Sequence, residues 1–319
     1  MSIQHWWRRV ALGLLFFVAA AGSDLAGAAG SPALKIIAVN YPLAYFAERL
    51  AGARARVVLP VPAGADPAFW RPDARTVGTM QKADLILLNG AGYEKWLSQV
   101  SLPRLKLANT SLGFQDTYLR IENAVVHSHG PGGLHSHEGL AFTTWLDFEQ
   151  AGKQAQAVAD AIVRKHPEWK SIVLENLETL RGELAELDAE LKQTVAADPR
   201  RPFLASHPIY QYLARRYGLN LKSVHWEPEE MPPAAEWQGL QSMLKDHPAR
   251  RMIWEAQPAP EIAAKLKDME IESVVFAPCA NRPEDGDFLE VMKRNVDALK
   301  AAFRQEKRAN SVISKNPNP

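Results

Sequence analysis

The sequence predicts an α/β protein of two lobes, each a mainly parallel sheet flanked by helices, joined by a long rigid helix. Three observations predict this class. Short, nearly continuous apolar segments alternate with helical stretches early in the chain. The same alternation returns late in the chain, and a helical stretch without strand signals lies between the two parts. Continuous apolar strands separated by helices are typical of parallel sheets that are covered on both faces.

The first lobe is expected at residues 29–146. Its predicted strands are short and apolar, at 35–40, 55–60 and 84–89. The helical stretches that alternate with them lie at 42–51 and 73–82. Helices between strands allow neighbouring strands to run parallel, because a parallel pair needs a long crossover connection.

Two consecutive helices are expected to link the lobes over residues 147–198. Asp147 followed by Gln150 predicts an N-cap with a capping-box partner, on a helix that ends near His166. The second helix has one apolar stripe, formed by Val173, Leu177, Leu180, Leu184, Leu187 and Leu191. This spacing fits a long helix packed across both lobes or a coiled coil, and so short a repeat inside an α/β protein favours the packed helix.

The second lobe is expected at residues 199–304. Its predicted strands lie near 203–205, 221–225, 252–255 and 273–277. Its predicted helices lie near 210–217, 234–244, 261–269 and 288–303. The polar tail at 305–319 is predicted to be disordered.

Residues 1–28 are typical of a signal peptide that is cleaved on export. Arg8 and Arg9 precede the apolar segment 10–21, which is too short to span a bilayer, and a small-residue cleavage site follows at 26–28. No cysteine lies near that site, so the sequence predicts a periplasmic protein without a lipid anchor. The single cysteine, Cys279, excludes an internal disulfide.

Charge and motif content exclude several classes of protein. The mature chain would hold 35 basic and 35 acidic residues, a balance that argues against nucleic acid or a strongly charged membrane patch as partner. The chain contains no Gly-x-Ser-x-Gly, P-loop, His-Glu-x-x-His or dinucleotide-binding motif. We therefore expect a binding protein rather than an enzyme, and a monomer.

A histidine-rich, glycine-rich loop is the strongest chemical signal in the chain. It holds four of the nine histidines, namely His127, His129, His135 and His137. Imidazole is a common ligand for zinc and copper, and the neighbouring glycines allow the backbone to bring both His-Ser-His pairs to one ion. The alternative is a loop of solvated polar residues with no metal affinity.

Several local patterns, in this order and spacing, resemble the zinc and manganese solute-binding proteins of ABC importers. They are VNYPLAYFA at 39–47, VPAGADP at 61–67, KADLILLNG at 82–90, TWLD at 144–147, SHP at 206–208, WEAQ at 254–257 and FLEVMKRNVD at 288–297. The resemblance covers nearly the whole mature chain. It implies capture of zinc or a related divalent metal and delivery to an importer permease.

The resemblance also implies four metal ligands drawn from both lobes, and here the sequence departs from the family pattern. The corresponding positions hold Ala68, Thr143, His207 and Ala277. Alanine has no lone pair and a threonine hydroxyl is a poor zinc ligand, so the usual four-coordinate cage cannot form. His207 is the one ligand retained.

Other groups are candidates to complete a site around His207. The histidine-rich loop could fold over the cleft, while Glu255 and Cys279 lie at strand ends, which usually face the ligand crevice. Cys279 has the alternative of being a small buried hydrophobe, and His207 that of bonding the backbone. Two other functions remain open: a periplasmic metal chaperone or sensor that uses only the loop, and a binder of a metal chelate or small organic ligand.

Overall fold

The computed structural model of the protein describes residues 33–121, 126–128, 134–136 and 139–313. The predicted signal peptide at 1–28 and the loop histidines His129 and His137 lie outside these ranges. No helix within the described ranges is both long and apolar enough to cross a membrane.

The first sheet is parallel and has four strands. In chain order its elements are β1 (Leu34–Ala38), α1 (Tyr41–Ala51), β2 (Ala55–Val58), α2 (Ala74–Gln81), β3 (Leu85–Leu88) and β4 (Leu107–Asn109). The strand order is β2-β1-β3-β4. Three of these strands were predicted to within two residues, whereas β4 was missed because a three-residue strand is too short for a periodic apolar pattern.

Two antiparallel pairs of short strands follow the first sheet. Their members are β5 (Arg120–Ile121), β6 (Val126–Ser128), β7 (Leu134–Ser136) and β8 (Gly139–Leu140). β5 pairs with β8, and β6 pairs with β7 so that His127 stands opposite His135 in the register. The sequence predicted only an irregular loop here, because its glycines and polar residues hide strands of two or three residues.

Two long helices connect the two sheets, α3 (Phe148–Lys165) and α4 (Lys170–Ala196). The whole predicted stripe of α4 is buried, and α4 contacts α1 and α3. Asp147 caps α3 as predicted, by accepting the backbone N–H of Glu149 at 3.1 Å and of Gln150 at 3.2 Å. The capping-box part of that prediction is wrong: the side chain of Gln150 donates to Thr117 Oγ1 at 3.1 Å, and the backbone N–H of Asp147 donates to Thr144.

The second sheet repeats the parallel, four-stranded plan. Its elements are β9 (Pro202–Ala205), α5 (Gln211–Tyr217), β10 (Asn220–Ser223), α6 (Ala234–Asp246), β11 (Arg251–Trp254), α7 (Pro260–Asp268), β12 (Glu272–Val275) and α8 (Phe288–Ile313). The strand order is β10-β9-β11-β12, so that β9 lies between β10 and β11.

The last helix extends past the predicted boundary at residue 304, because α8 continues to Ile313, and disorder of the tail at 305–319 stays a prediction. The sequence after Phe303 is rich in residues that favour helices and has no proline before Pro317, so a helix already nucleated by packing can propagate. Residues 314–319 lie outside the described ranges.

One hydrophobic core connects both sheets through α4. It includes Ile36 and Leu87 of the first sheet, the α4 stripe, Phe203 of β9 and Phe288 of α8. A smaller core with Trp226, Trp237 and Trp254 fills the other face of the second sheet. The sheets are thus held by shared packing, and the predicted fold class is confirmed.

Candidate metal centre

A cleft of about 410 Å³ lies between the two sheets. Its wall combines residues that follow the strands of both sheets. From the first half come Asp66, Tyr93 and Thr143, and from the second half come His207, Glu255 and Cys279. Carboxyl ends of parallel strands commonly form the ligand crevice of α/β proteins, which makes this cleft the candidate site.

The strand order of the second sheet brings three ligand-type side chains together. His207 follows β9, Glu227 follows β10 and Glu255 follows β11. Backbone bonds extend both pairings past the strand ends: Trp226 N–H donates to the Ser206 carbonyl at 2.7 Å, and Ser206 N–H donates to the Ile253 carbonyl at 2.8 Å. The central position of β9 therefore places His207 between the two carboxylates.

The imidazole of His207 contacts one carboxylate at each ring nitrogen. Nδ1 lies 3.4 Å from Glu255 Oε1, and Nε2 lies 3.3 Å from Glu227 Oε1. Each of the three side chains offers one atom that could bind a metal, and these three atoms all lie within 4.8 Å of one another. Among the described residues, they form the one such group of three. Zinc bonds of ~2.0–2.1 Å in tetrahedral geometry put two ligand atoms roughly 3.3 Å apart. The Nδ1–Oε1 pair of His207 and Glu255 is therefore spaced to share an ion.

Burial and charge act in opposite directions on His207, whose side chain is only 2% exposed. Burial alone would lower the pKa of this imidazole, but the carboxylates of Glu255 and Glu227 outweigh burial, so the pKa is raised above its usual value. A raised pKa means that the carboxylates attract positive charge to this point. The same pair of negative charges would favour a divalent cation in place of the proton.

Cys279 lines the cleft, and its thiol is largely buried. Burial raises the pKa of its thiol to about 12, so the sulfur is protonated at neutral pH, whereas metal ligation uses the thiolate. Its backbone has a φ of 59°, an uncommon conformation for a residue other than glycine. The thiol lies 4.0 Å from the carbonyl of Asn281, its acceptor.

The positions that the resemblance associates with metal ligands are engaged in other contacts. The Thr143 hydroxyl donates to the Ile209 carbonyl at 2.5 Å. The backbone N–H of Ala68 donates to Asp66 Oδ1 at 2.8 Å. Ala277 is held through its backbone by Asn295, which accepts from its N–H at 3.0 Å and donates to its carbonyl at 2.8 Å. These positions support the cleft wall rather than an ion.

Two carboxylates near the centre were missed from the sequence. Glu227 follows a predicted strand, and the rule that selected Glu255 would also have selected it. Asp66 lines the cleft from the first half and belongs to the Ala-Asp-Pro pattern quoted above. Attention to the carboxyl end of every strand would have identified both.

The base of the histidine-rich loop adjoins the cleft. β8 pairs with β5, Ala141 N–H donates to the Leu119 carbonyl at 2.8 Å, and the chain then enters the cleft wall at Phe142. His127 and His135 are register partners in β6 and β7, and His129 and His137 lie outside the described residues. Placement of the four imidazoles over the cleft stays a prediction.

Two parallel sheets that open onto one cleft, with a long helix whose apolar stripe lies in the core shared by both halves, have the architecture of a binding protein with its ligand site between two halves. A family model described as "Zinc-uptake complex component A periplasmic" matches residues 36–302. The chain belongs to this ZnuA family, and the resemblance drawn from its local patterns is confirmed.

Curated relatives have low sequence identity to this chain but match most of its length. Zinc-binding lipoprotein AdcA of Streptococcus pneumoniae is 26% identical over 285 residues, which cover 86% of this chain and 56% of that protein. This chain thus spans little more than half of that relative's length. High-affinity zinc uptake system protein ZnuA of Bacillus subtilis is 24% identical over 304 residues, which cover 91% of this chain and 95% of that protein.

Solved structures share the fold. Zn(II)-bound AdcA from Streptococcus pneumoniae has a TM-score of 0.72 at 23% identity, with 86% of this chain and 58% of that chain covered. The metal-dependent lipoprotein YcdH from Bacillus subtilis has a TM-score of 0.71 at 22% identity, with 84% and 98% covered. At these identities the likeness shows the fold alone.

Proposed function

We propose that this chain is a periplasmic solute-binding protein that captures zinc, or a related divalent metal, for an ABC importer. The carrying observation is the spacing of His207 Nδ1 and Glu255 Oε1, 3.4 Å apart on the wall of a cleft between two sheets. Membership of a zinc-uptake family supports the choice of metal. The metal ion is the cargo, and the role is binding without catalysis.

The proposed centre keeps only His207 of the four ligand positions in the family pattern. His207 and Glu255 supply the second half's ligands, and Asp66 is the carboxylate that the first half presents to the same cleft. Water molecules would complete the coordination. Nitrogen and carboxylate ligands with water suit zinc and also manganese or iron(II), whereas an all-thiolate site would restrict the choice to softer metals.

The histidine-rich loop has a separate proposed role. His127, His129, His135 and His137 would bind metal at the entrance and raise its local concentration, because the base of the loop leads directly into the cleft wall. Cys279 lines the same cleft and stays a candidate ligand, because a bound metal ion displaces the thiol proton.

The mature protein is proposed to act in the periplasm as a monomer, after removal of residues 1–28, with the importer permease as its partner. Two relatives are named a lipoprotein and an uptake-system protein. Those names support a location of this protein at the cell envelope.

Metal titration of the mature protein tests the proposal. Zinc, manganese and iron(II) should each be titrated calorimetrically into metal-stripped protein, with and without residues 122–138. A zinc site that survives removal of the loop is the expected result. Binding lost entirely with the loop would favour the chaperone or sensor alternative, and zinc uptake by cells lacking the chain would then be unchanged.

A further inference from the structure

The segment 278–282, which follows β12, is hydrogen-bonded to the first half of the chain. The Pro278 carbonyl accepts the indole N–H of Trp145 at 2.8 Å. The Ala280 carbonyl accepts the backbone N–H of Tyr41 at 2.7 Å. Tyr41 begins α1, so this bond satisfies an N–H that has no partner within its own helix. The segment is therefore anchored to the first half at the edge of the cleft.

Asn281 of this segment uses both ends of its side-chain amide. Its Nδ2 donates to the Pro62 carbonyl at 2.7 Å and to the Ala65 carbonyl at 2.8 Å. Its Oδ1 accepts the backbone N–H of Arg282 at 2.7 Å. An amide has two donor hydrogens on nitrogen and an acceptor oxygen. The bond at the oxygen therefore directs both donors at the first half.

The two carbonyls that Asn281 binds are the ends of one turn. Ala65 donates its N–H to the Pro62 carbonyl at 3.2 Å, and Gly64 between them has a φ of 75°, a conformation that glycine adopts without steric cost. Asn281 thus fixes the turn 62–65 as a unit. The residue that follows the turn directly is Asp66.

Asp66 lies on the cleft wall, and its place depends on this turn. Its Oδ1 accepts the N–H of Ala68 at 2.8 Å, which is a bond internal to the loop and moves with it. The bonds from Asn281 are different, because they connect the loop to the half that carries His207 and Glu255. They set where an exposed carboxylate stands relative to the ligands of the other half.

We propose that Asn281 is a positioning residue of the metal centre, which keeps Asp66 beside the ligands of the second half by holding the turn 62–65. The inference rests on the proposed function, in which Asp66 is the carboxylate from the first half. A loop ordered before metal arrives does not lose its conformational entropy on binding. Asn281 acts through Asp66 rather than on the metal, because its amide nitrogen has no lone pair for an ion.

Replacement of Asn281 by leucine tests the role, since leucine has a similar size but no hydrogen-bonding group. Zinc is titrated calorimetrically into the mature protein, and Asn281→Leu should lose about ten-fold in affinity, the scale of an outer-shell partner. Asn281→Ala, which removes the same bonds without apolar bulk, should lose as much. Asn220→Leu is the matched control: it removes an exposed amide bond of 2.9 Å to the Arg200 carbonyl, at the end of β10 away from the cleft.

A double-mutant cycle with Asp66→Ala separates positioning from a general effect on the fold. Asp66→Ala should itself lower zinc affinity. Adding Asn281→Leu to Asp66→Ala should change the affinity less than two-fold, because the residue through which Asn281 acts is already gone. Amide hydrogen exchange should also become faster over residues 62–68 in Asn281→Leu, with exchange in β9 unchanged.

Several results would overturn the inference. They are parent-like zinc affinity in Asn281→Leu, parent-like affinity in Asp66→Ala, and losses that add in the double variant. His207→Ala is titrated in parallel. Parent-like affinity of His207→Ala would refute the proposed cleft site itself, whereas a loss there with no loss in Asn281→Leu would refute the positioning role alone.

Discussion

The hydroxyl of Thr143 donates a hydrogen bond to the carbonyl oxygen of Ile209 at 2.5 Å, and this bond joins the first half of the chain to the second across the cleft. The position corresponds to one where the zinc-binding family pattern has a histidine. Here the side chain joins the two halves through a direct hydrogen bond instead of serving as a metal ligand.

Removing this bond should lower stability. In Thr143→Val the side-chain volume is kept but the Ile209 carbonyl loses its partner, so the free energy of unfolding should fall by about 1 kcal/mol. Thr143→Ser keeps the hydroxyl and is the control. Urea unfolding of the three proteins measures the difference, and equal losses in Val and Ser would assign the effect to packing instead.

Loss of the His207 imidazole should weaken zinc binding even when the loop is intact. His207→Ala leaves Glu255 without its nitrogen partner in the cleft, so calorimetry should show at least a ten-fold rise in the dissociation constant. His166→Ala, which removes an imidazole at the partly exposed corner between α3 and α4, should bind like the parent.

The pH dependence of zinc binding supplies a further check on His207. A protonated imidazole cannot coordinate, so affinity is full above the pKa of His207 and falls as the pH drops through it. Because this pKa lies above its usual value near 6.5, the decline should begin above pH 6.5. Zinc titrations of the parent and of His207→Ala from about pH 5.5 to 8.5 give the ratio of their dissociation constants. A ratio that stays constant over this range would contradict the assignment.

Simultaneous replacement of His127, His129, His135 and His137 by alanine tests the loop. Each lost imidazole removes a potential inner-sphere bond, so the variant should bind fewer zinc equivalents or bind them more weakly. Metal analysis after dialysis counts the equivalents. A variant with all four residues changed to asparagine controls for polarity, and parent-like counts in both variants would identify the loop as solvated polypeptide.

Buried Glu94 should make stability depend on pH. Its carboxylate accepts the N–H groups of Asn89 at 2.5 Å and Gly90 at 3.3 Å, yet burial raises its pKa to about 7. The folded protein thus holds this proton more tightly than the unfolded chain. The contribution of Glu94 is most favourable below pH 4.5 and declines as the pH rises to 7, by up to about 3 kcal/mol.

Glu94→Gln cannot ionise, so it should lack this decline. Urea unfolding at pH 5 and pH 8 should show the parent losing stability relative to Glu94→Gln, while exposed Glu178→Gln should follow the parent. Parallel curves for the parent and Glu94→Gln would contradict the raised pKa.

Export should leave a mature N-terminus near Ala29 or Gly30. The basic flank, the apolar segment and the small residues at 26–28 motivate this prediction. Mass spectrometry of the protein from a periplasmic extract measures the terminus. An uncleaved chain recovered from the cytoplasm would refute it, and replacement of Ala26 and Ala28 by bulky residues should block cleavage.

Local pattern in the sequence was enough to predict the two sheets and the long helix between them. The apolar residues of α4, such as Leu180 and Leu187, recur at a spacing that places them on one face only in a helix. The short continuous apolar segments fit strands that are buried on both faces. Elements with little periodicity were missed, namely β4 and the short antiparallel strands. Strands of two or three residues form only when a neighbouring strand is already in place to pair with them. The Gln150 side chain likewise followed a tertiary partner, Thr117, over the local cap.

The sequence by itself determined that His207 is the family ligand that this chain retains. It also determined which family positions, such as Ala277, carry no ligand, because a residue's chemistry is fixed by its identity. It could not determine that Glu227 and Glu255 meet opposite nitrogens of that imidazole. Their separation along the chain carries no information about distance until the order β10-β9-β11 sets which strand ends are neighbours. Strand order follows from how both faces of the sheet are covered, which is a property of the whole core, so the tertiary structure alone decided the geometry of the centre.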